Sequence, residues 1–487
     1  MEERRRLFIG GEWTAPSGDA LLEVISPSTE KPIAAVAAAG PADVDRAVLA
    51  ARRAQDEGPW PRLDPAERIA AVRRLAELYR PRTKEIARLI TAEMGSPIAF
   101  SKFSQATLPM LLLDAFAGIA ERFPWEERRP GFFGQDVLVR REPAGVVAAI
   151  VPWNVPLFLV VGKLAPALLA GCSIVVKPAP ETPLDALLFA ELIEEAGLPP
   201  GVVSFLPGDG AVGEALVQHP GVDRVSFTGS TAVGRRIAAA CGERLKKVSL
   251  ELGGKSAAVV LDDADPAAVA EGLKLAGLMN NGQACVAQTR ILVPEARRDA
   301  FTDALASMVE GLAVGDPEDP ATEIGPLVAR RQQERVRGYI EEGRREGARL
   351  VVGGSDAPPG LSTGWYVRPT LFADVDNGMK IAREEIFGPV LSVIPYHGGD
   401  DEAVRIANDS DYGLSGSVWT ADAARGLAVA RRVRTGSFGI NQPYSMDPAA
   451  PFGGVRDSGL GRELGREGLE AYVDLKAISG APWVEEG

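Results

Sequence analysis

GVVAAIVPW at residues 145–153, SIVVKP at 173–178, VVSFLPG at 202–208, RVSFTG at 224–229 and KVSLELGG at 247–254 are short apolar runs of strand length. Between them lie PLDALLFAELIEEAG (183–197), AVGEALVQH (211–219) and TAVGRRIAAACG (231–242), with apolar residues at three- and four-residue spacing. Buried strands alternating with amphipathic helices predict a parallel sheet with right-handed crossovers. Such a sheet binds its ligands beyond the carboxyl ends of the strands. Lys177, Gly229-Ser230 and Glu251 stand at those ends.

Upstream, residues 40–120 read as helical, with charges interleaved among apolar residues in DVDRAVLAARRAQ and PAERIAAVRRLAELYRPRTKEIARLITAEMG. Gly95 is the expected stop. FPWEERRPGFFGQDVLVRREP (123–143) holds two short extended runs around Pro130-Gly131 and Gly134, the pattern of a projecting hairpin. Downstream, a second α/β pattern runs from about 254 to 469. Its strands are AAVVLDD, TRILVPE, LSVIPY and GSVWT; its helices include DAFTDALASMVEGL and RRQQERVRGYIEEGRREG. The tail GLEAYVDLKAISG reads as a short helix turning into a strand.

The 487 residues are too many for one small core, so two or three structural units are expected. A hydrophobic fraction of 46% with 24% charged residues is that of a globular enzyme. The net charge of −13 argues against nucleic acid and anionic membranes as partners. Three widely spaced cysteines and two histidines give no disulfide framework, no metal-ligand spacing and no basis for a His-based triad. A reducing, cytoplasmic location is expected. Ala144–Gly162 carries no charge, but Pro152, Asn154 and Pro156 would break a spanning helix, so a strand, a turn and a helix start are expected there.

Three residues carry the chemistry. Cys285, in NNGQACVAQTR, lies among small and polar neighbours, whereas Cys172 and Cys241 sit in apolar contexts typical of core thiols. Glu251 is a single carboxylate ending an otherwise apolar strand, where a charge is costly unless used. Asn154, in VPWN, supplies an amide that can donate to a developing oxyanion, although a lone asparagine is more often a turn residue. A thiol that attacks, an amide that holds the oxyanion and a carboxylate that takes a proton suit covalent chemistry on a carbonyl.

The glycine motifs are weaker. FTGSTAVG sets Gly229, Ser230 and Gly234 between a strand and a helix, suited to phosphate or to an ordinary turn. Gly208-x-Gly210-x-x-Gly213 matches a dinucleotide fingerprint, but RVSFTG ends in no acid for the ribose, so it reads as a turn brushing the cofactor. LELGGKS is no Walker loop, because position 249 is serine.

In order and spacing, FIGGEW, VPWN, KLAPALLAGC, KPAPETP, FTGSTAVG, LELGGKS, NNGQACVA, EEIFGPV and PFGGVRDSGLGREL resemble the aldehyde dehydrogenase superfamily, from about residue 7 to 480. The resemblance implies a Rossmann-like α/β cofactor domain (1–123 and 144–253), an α/β catalytic domain (254–469) and a small β oligomerisation segment (124–143 and 470–487). By the same resemblance Cys285 is the nucleophile, Glu251 the general base and Asn154 the oxyanion donor, with Lys163 and Glu463 in a supporting polar network. Trp153, Lys177, Gly210, Gly229, Ser230 and Gly234 match cofactor contacts, and Glu385 and Phe387 match residues that hold the nicotinamide ribose and ring. NAD is the implied cofactor and a homodimer or homotetramer the implied assembly.

Two positions depart from the family pattern. Pro180 and Ala232 stand where carboxylates are frequent near the adenosine ribose, which leaves NADP open. Two other outcomes compete with thioester hydrolysis: thiolysis by coenzyme A, against which Glu251 argues, and a non-catalytic member, against which the intact Cys285, Glu251 and Asn154 argue. Pocket residues are expected from the 100–120 helix, from 280–290 and from the Gln442–Ala450 loop. That loop's few charges favour neutral aromatic or aliphatic aldehydes.

Overall fold

A computed structural model describes residues 2–442 and 446–480. The five quoted runs form the strands Val146–Ile150, Ser173–Lys177, Val203–Phe205, Arg224–Thr228 and Lys247–Glu251. All five are parallel. Nearly every residue in them is buried, because helices cover both faces; that is why they read as continuous apolar runs and not as alternation.

The strand Val146–Ile150 is flanked by Ser173–Lys177 on one side and by Arg224–Thr228 on the other. Chain order therefore reverses at this strand. The crossovers on its two sides leave in opposite directions and open a crevice at its carboxyl end.

The sheet is larger than the sequence predicts. Leu7–Ile9 and Glu12–Thr14 extend it antiparallel beyond Val203–Phe205. Gly459–Leu460 closes the other edge, antiparallel to Lys247–Glu251, with Glu251 opposite Gly459. These edge strands have two or three residues each, too few to show a period. Gly459–Leu460 comes from within the segment assigned by resemblance to the catalytic domain, so the two α/β regions interlock beside Glu251.

The second α/β region forms a seven-stranded sheet, parallel except where Arg349–Val352 pairs with Thr370–Ala373. The expected hairpin is present as Glu126–Arg129 paired with Val137–Pro143. The tail strand Val473–Ser479 adds to it, from Val473 opposite Pro143 to Ser479 opposite Val137. Phe132 and Phe133, at the hairpin tip, are 97% and 94% exposed. A further three-stranded sheet, not foreseen from the sequence, joins Glu2–Arg4, Pro32–Ala37 and Leu21–Ile25.

Residues 41–121 are helical with short breaks, and Gly95 ends the Thr83–Met94 helix in the left-handed conformation expected of it. The helix that follows, Ile98–Glu121, contains a π-helical stretch at Ser101–Thr107. This stretch turns Gln105 fully into the interior. Among the described residues Ile98–Glu121 is the one helix long and apolar enough, by length and composition, to cross a bilayer; half of its most apolar window is buried inside the protein. Ala144–Gly162 divides into the expected strand, turn and start of the helix Pro156–Ala170, all of whose residues are buried.

Candidate active site and cofactor cleft

A cleft of about 520 Å³ opens at the point where strand order reverses. Ile150, Val151, Pro152 and Trp153 line it from one strand end, and Phe227, Thr228 and Gly229 from the next. Farther out it becomes a slot between the helices Gly210–Gln218 and Thr231–Glu243, walled by Val217, Val233, Ile237 and Ala240. A flat, weakly polar base fits such a slot. Gly210 and Gly213 line it, so the glycine fingerprint does border the cleft.

Lys177 ends its strand on the cleft wall, and its Nζ donates to the carbonyls of Pro178 at 2.9 Å and Gly208 at 2.8 Å. Burial lowers its amine to about 8, opposed by the charges of Glu181 and Asp209. Pro180 also lines the cleft, while Glu181 turns away to pair with Arg331.

The other glycine-motif residues divide. Gly229 is on the wall, whereas Ser230 and Gly234 are not among the lining residues. Ser230 is the N-cap residue of Thr231–Glu243 and makes no side-chain capping bond. A Cβ on Gly234 would lie 2.4 Å from Leu252, so this glycine lets the helix pack closely on the strand end. Its physical role is helix-to-sheet approach.

The loop carrying Cys285 enters through three consecutive left-handed residues, Asn280, Asn281 and Gly282, with φ of 54°, 62° and 72°. Asparagine is among the few non-glycine residues that adopt this conformation readily. Their side chains hold the turn: Asn281 Nδ2 donates to Gly95 and Pro326 carbonyls, both at 2.9 Å, and Gly325 N–H donates to its Oδ1 at 2.6 Å. A Cβ on Gly282 would meet the Gly388 carbonyl carbon at 2.3 Å, so only glycine lets the loop lie against the EEIFGPV segment.

Asn154 is locked to the same loop. Its Nδ2 donates to the Gln283 carbonyl at 3.2 Å. Its own carbonyl accepts from Asn280 Nδ2 at 2.8 Å and from Gln105 Nε2 at 3.0 Å. Gln105 and Gln283 are site-shaping residues that the sequence reading missed. The available signal for Gln105 was a polar residue on a largely apolar helix.

Cys285 is half-buried. Its thiol is pushed up to about 12, first by burial and then by the charges of Glu385 and Glu251. The N–H groups of Cys285 and Val286 oppose that shift by bonding to the sulfur. Burial thus favours the neutral form of the thiol.

Glu251 is 2% exposed, and neither of its carboxyl oxygens has a hydrogen-bond partner among the described residues. Burial, and then repulsion from Glu463, raise its pKa well above the ordinary range, while Lys163 and Arg462 pull the other way. Lys163 and Glu463 form a buried ion pair next to it. Glu463 also accepts from Ser226 Oγ at 3.3 Å. These five residues come from four separate stretches of chain.

Glu385 accepts from Gly254 N–H at 3.0 Å, and burial raises it to about 7. Phe387 has a φ of 64°, a strained value for an aromatic residue. Its ring meets Trp153 edge-on at 5.3 Å, with the ring planes 83° apart, where the cleft meets the Cys285 loop. Beside Asn154, the first turn of the Pro156–Ala170 helix presents Phe158 and Leu159, and Met446 and Phe452 pack on the same apolar cluster. Pro443, Tyr444 and Ser445 of the expected pocket loop lie outside the described residues.

A slot suited to a flat base, a half-buried thiol, a carboxyl group with no bonding partner among the described residues and an amide donating to the thiol loop thus belong to one region. Residues 13–478 match the Aldehyde dehydrogenase family. The geranial dehydrogenase of Castellaniella defragrans is 48% identical over 98% of each chain. A crystal structure of Mycobacterium tuberculosis aldehyde dehydrogenase complexed with NAD+ superposes with a TM-score of 0.96 at 49% identity, covering 98% of each chain. A cysteine-to-alanine mutant of Pseudomonas syringae aldehyde dehydrogenase C, solved with NAD+ and octanal, gives 0.94 at 42% identity, covering 99% of this chain and 98% of that one.

Proposed function

The chain belongs to the aldehyde dehydrogenase family and oxidises an aldehyde to the carboxylic acid with NAD+, and from that premise we propose that Cys285 is its nucleophile, Asn154 its oxyanion donor and Glu251 the base that hydrolyses the thioester. The observation that carries this reading is the buried Glu251 carboxyl, which has no bonding partner among the described residues and whose charge acts on the Cys285 thiol. A buried polar group left without a partner costs roughly 1–3 kcal/mol, a cost that a proton-transfer role accounts for.

The cleft fits the cofactor. The slot between the two helices would take the adenine, Lys177 would meet a ribose hydroxyl or phosphate, and Glu385, Phe387 and Trp153 would hold the nicotinamide end. When bound, NAD+ supplies a positive charge that favours the thiolate and accepts the hydride that converts the adduct to a thioester.

The chain's own residues do the rest. The Cys285 thiol releases its proton to solvent, Sγ bonds to the carbonyl carbon, and the π electrons move to oxygen. Asn154 Nδ2 and the Cys285 N–H donate to that oxyanion. The oxyanion then reforms its double bond as the hydride departs. Glu251 next removes a proton from water, the hydroxide adds to the thioester carbon, and Sγ leaves as the carboxylic acid forms. Lys163 and Glu463 set the charge around Glu251 during this proton transfer. The need for such a base favours hydrolysis over thiolysis by coenzyme A.

Asn154→Ala removes one oxyanion donor. Its expected effect is a fall in kcat of about 10²- to 10³-fold, or ~3 kcal/mol, with little change in cofactor affinity. An unchanged kcat by stopped-flow would remove Asn154 from the mechanism.

For the substrate, the apolar cluster that includes Phe158 and Leu159 just after Asn154, with Met446 and Phe452 packed on it, favours neutral aliphatic, terpenoid or aromatic aldehydes. Octanal in the Pseudomonas syringae complex and the geranial relative belong to this class. For the cofactor, position 180 contributes no carboxylate to repel a 2′-phosphate, whereas Glu214 and Arg236 both line the cleft, so NADP+ is a second choice after NAD+. A substrate panel read by reduced-nicotinamide absorbance should show apolar aldehydes above carboxylated semialdehydes, and NAD+ above NADP+. The reverse ranking in either comparison would overturn the corresponding assignment.

The three-part division is also part of the proposal. The two large sheets divide into a cofactor unit and a catalytic unit. The hairpin, joined by the tail strand and bearing exposed Phe132, Phe133 and Leu475, forms the surface for a homodimer or homotetramer. A cytoplasmic location accords with three free cysteines.

A further inference from the structure

Lys255, the lysine of LELGGKS, takes no part in the chemistry above. It is 2% exposed, and its Nζ has no bonding partner among the described residues. An ammonium group so enclosed is costly unless a counter-charge or an acceptor meets it. Lys255 lines a narrow pocket of about 10 Å³, together with Ser256, whose buried hydroxyl is also without a partner among the described residues. That volume suits one water-sized or monatomic group and excludes phosphate or a nucleotide.

The charge of the pocket selects between those small occupants. Its ionisable lining residues are Lys255, Arg290, Tyr412 and Arg434, with no carboxylate among them. Arg290 is as buried as Lys255, and every acceptor it reaches is neutral. Its Nε donates to the Lys255 carbonyl at 2.9 Å, its Nη1 to Asn377 Oδ1 at 2.9 Å and the Ile406 carbonyl at 3.1 Å, and its Nη2 to the Ala407 carbonyl at 3.0 Å. Arg434 is exposed, so the pocket meets solvent beside a third cation.

We propose that this pocket is a binding site for one small monovalent anion of chloride size, held by the Lys255 ammonium. Water fits the same volume but leaves two buried cations without a counter-charge. The acids whose charges act on Lys255 are Glu385 and Glu384, and neither is bonded to its Nζ. Glu385 accepts from Gly254 N–H at 3.0 Å, and Glu384 from the Tyr339 hydroxyl at 2.6 Å. Burial lowers the Lys255 amine to about 7, and the charge of Arg290 acts in the same direction. A bound anion opposes both and keeps the ammonium charged.

The site is separate from the cleft that takes the cofactor, since the two share no lining residue. It is nonetheless one residue from the active region. Gly254 holds Glu385, and a Cβ on Gly254 would lie 2.4 Å from the Cys285 carbonyl oxygen.

Chloride titrated into a gluconate buffer at fixed ionic strength provides the test, because general screening is then constant. Tm should rise saturably, by about 2–3 °C at a hundredfold excess over Kd. Bromide should act alike and, in crystals of the unmodified protein, give an anomalous peak against Lys255 Nζ. Lys255→Met keeps the length of the side chain and removes its charge, and the saturable rise should vanish with it. Should that variant fail to fold, the bromide crystal decides alone. No saturable rise, a rise that survives in Lys255→Met, or crystals with only water against Lys255 would overturn the site.

Discussion

Cys285→Ala is expected to abolish aldehyde oxidation, lowering kcat by roughly 10⁴-fold or more, the scale seen when a catalytic nucleophile is removed. NAD+ affinity should be nearly unchanged, because the cleft is built from residues 150–240 and includes no part of the Cys285 loop. The substitution is also mild for the fold. Cys285 is half-buried on a loop whose geometry is set by Asn280, Asn281 and Gly282. Calorimetric titration with NAD+ beside steady-state turnover separates the two expectations. Turnover above a hundredth of wild type would show that another group attacks the carbonyl.

Glu251→Gln should produce the second large effect, a kcat lower by about 10²- to 10⁴-fold, the usual range for losing a positioned general base. Glutamine keeps the volume of Glu251 but cannot take a proton from water. Acylation continues, so a burst of reduced cofactor should precede the slow phase, and intact-protein mass spectrometry should find the acyl group on Cys285. The pH dependence tests the same residue. Because burial and Glu463 raise the Glu251 pKa, the carboxyl is protonated and idle at low pH. The rate should climb as pH rises through that raised value, and the climb should be absent in Glu251→Gln. No burst, no trapped thioester and an unaltered pH profile would take Glu251 out of the mechanism.

The raised values at Cys285, Glu251 and Glu385 share one cause. Three acidic groups are gathered at the junction of two sheets, and burial disfavours the ionised form of each. The N–H groups of Cys285 and Val286 oppose that effect at the thiol.

By itself the sequence determined the alternation of buried strands and helices from 145 to 254, because parallel strands covered on both faces appear as apolar runs bounded by glycine and proline. It also marked Cys285, Glu251 and Asn154, since a thiol among polar neighbours, an acid ending an apolar strand and an asparagine between prolines stand out locally. Only the tertiary structure decided that Gln105, Asn280 and Gln283 clamp Asn154, that Gly459–Leu460 pairs beside Glu251, and that the Glu93 carboxyl accepts the N–H groups of Leu184 and Asp185 from a distant helix start. The physical reason is range. Periodicity and composition report what a residue's near neighbours in the chain require, whereas a buried hydrogen bond between distant segments is decided by which amides packing leaves without a partner.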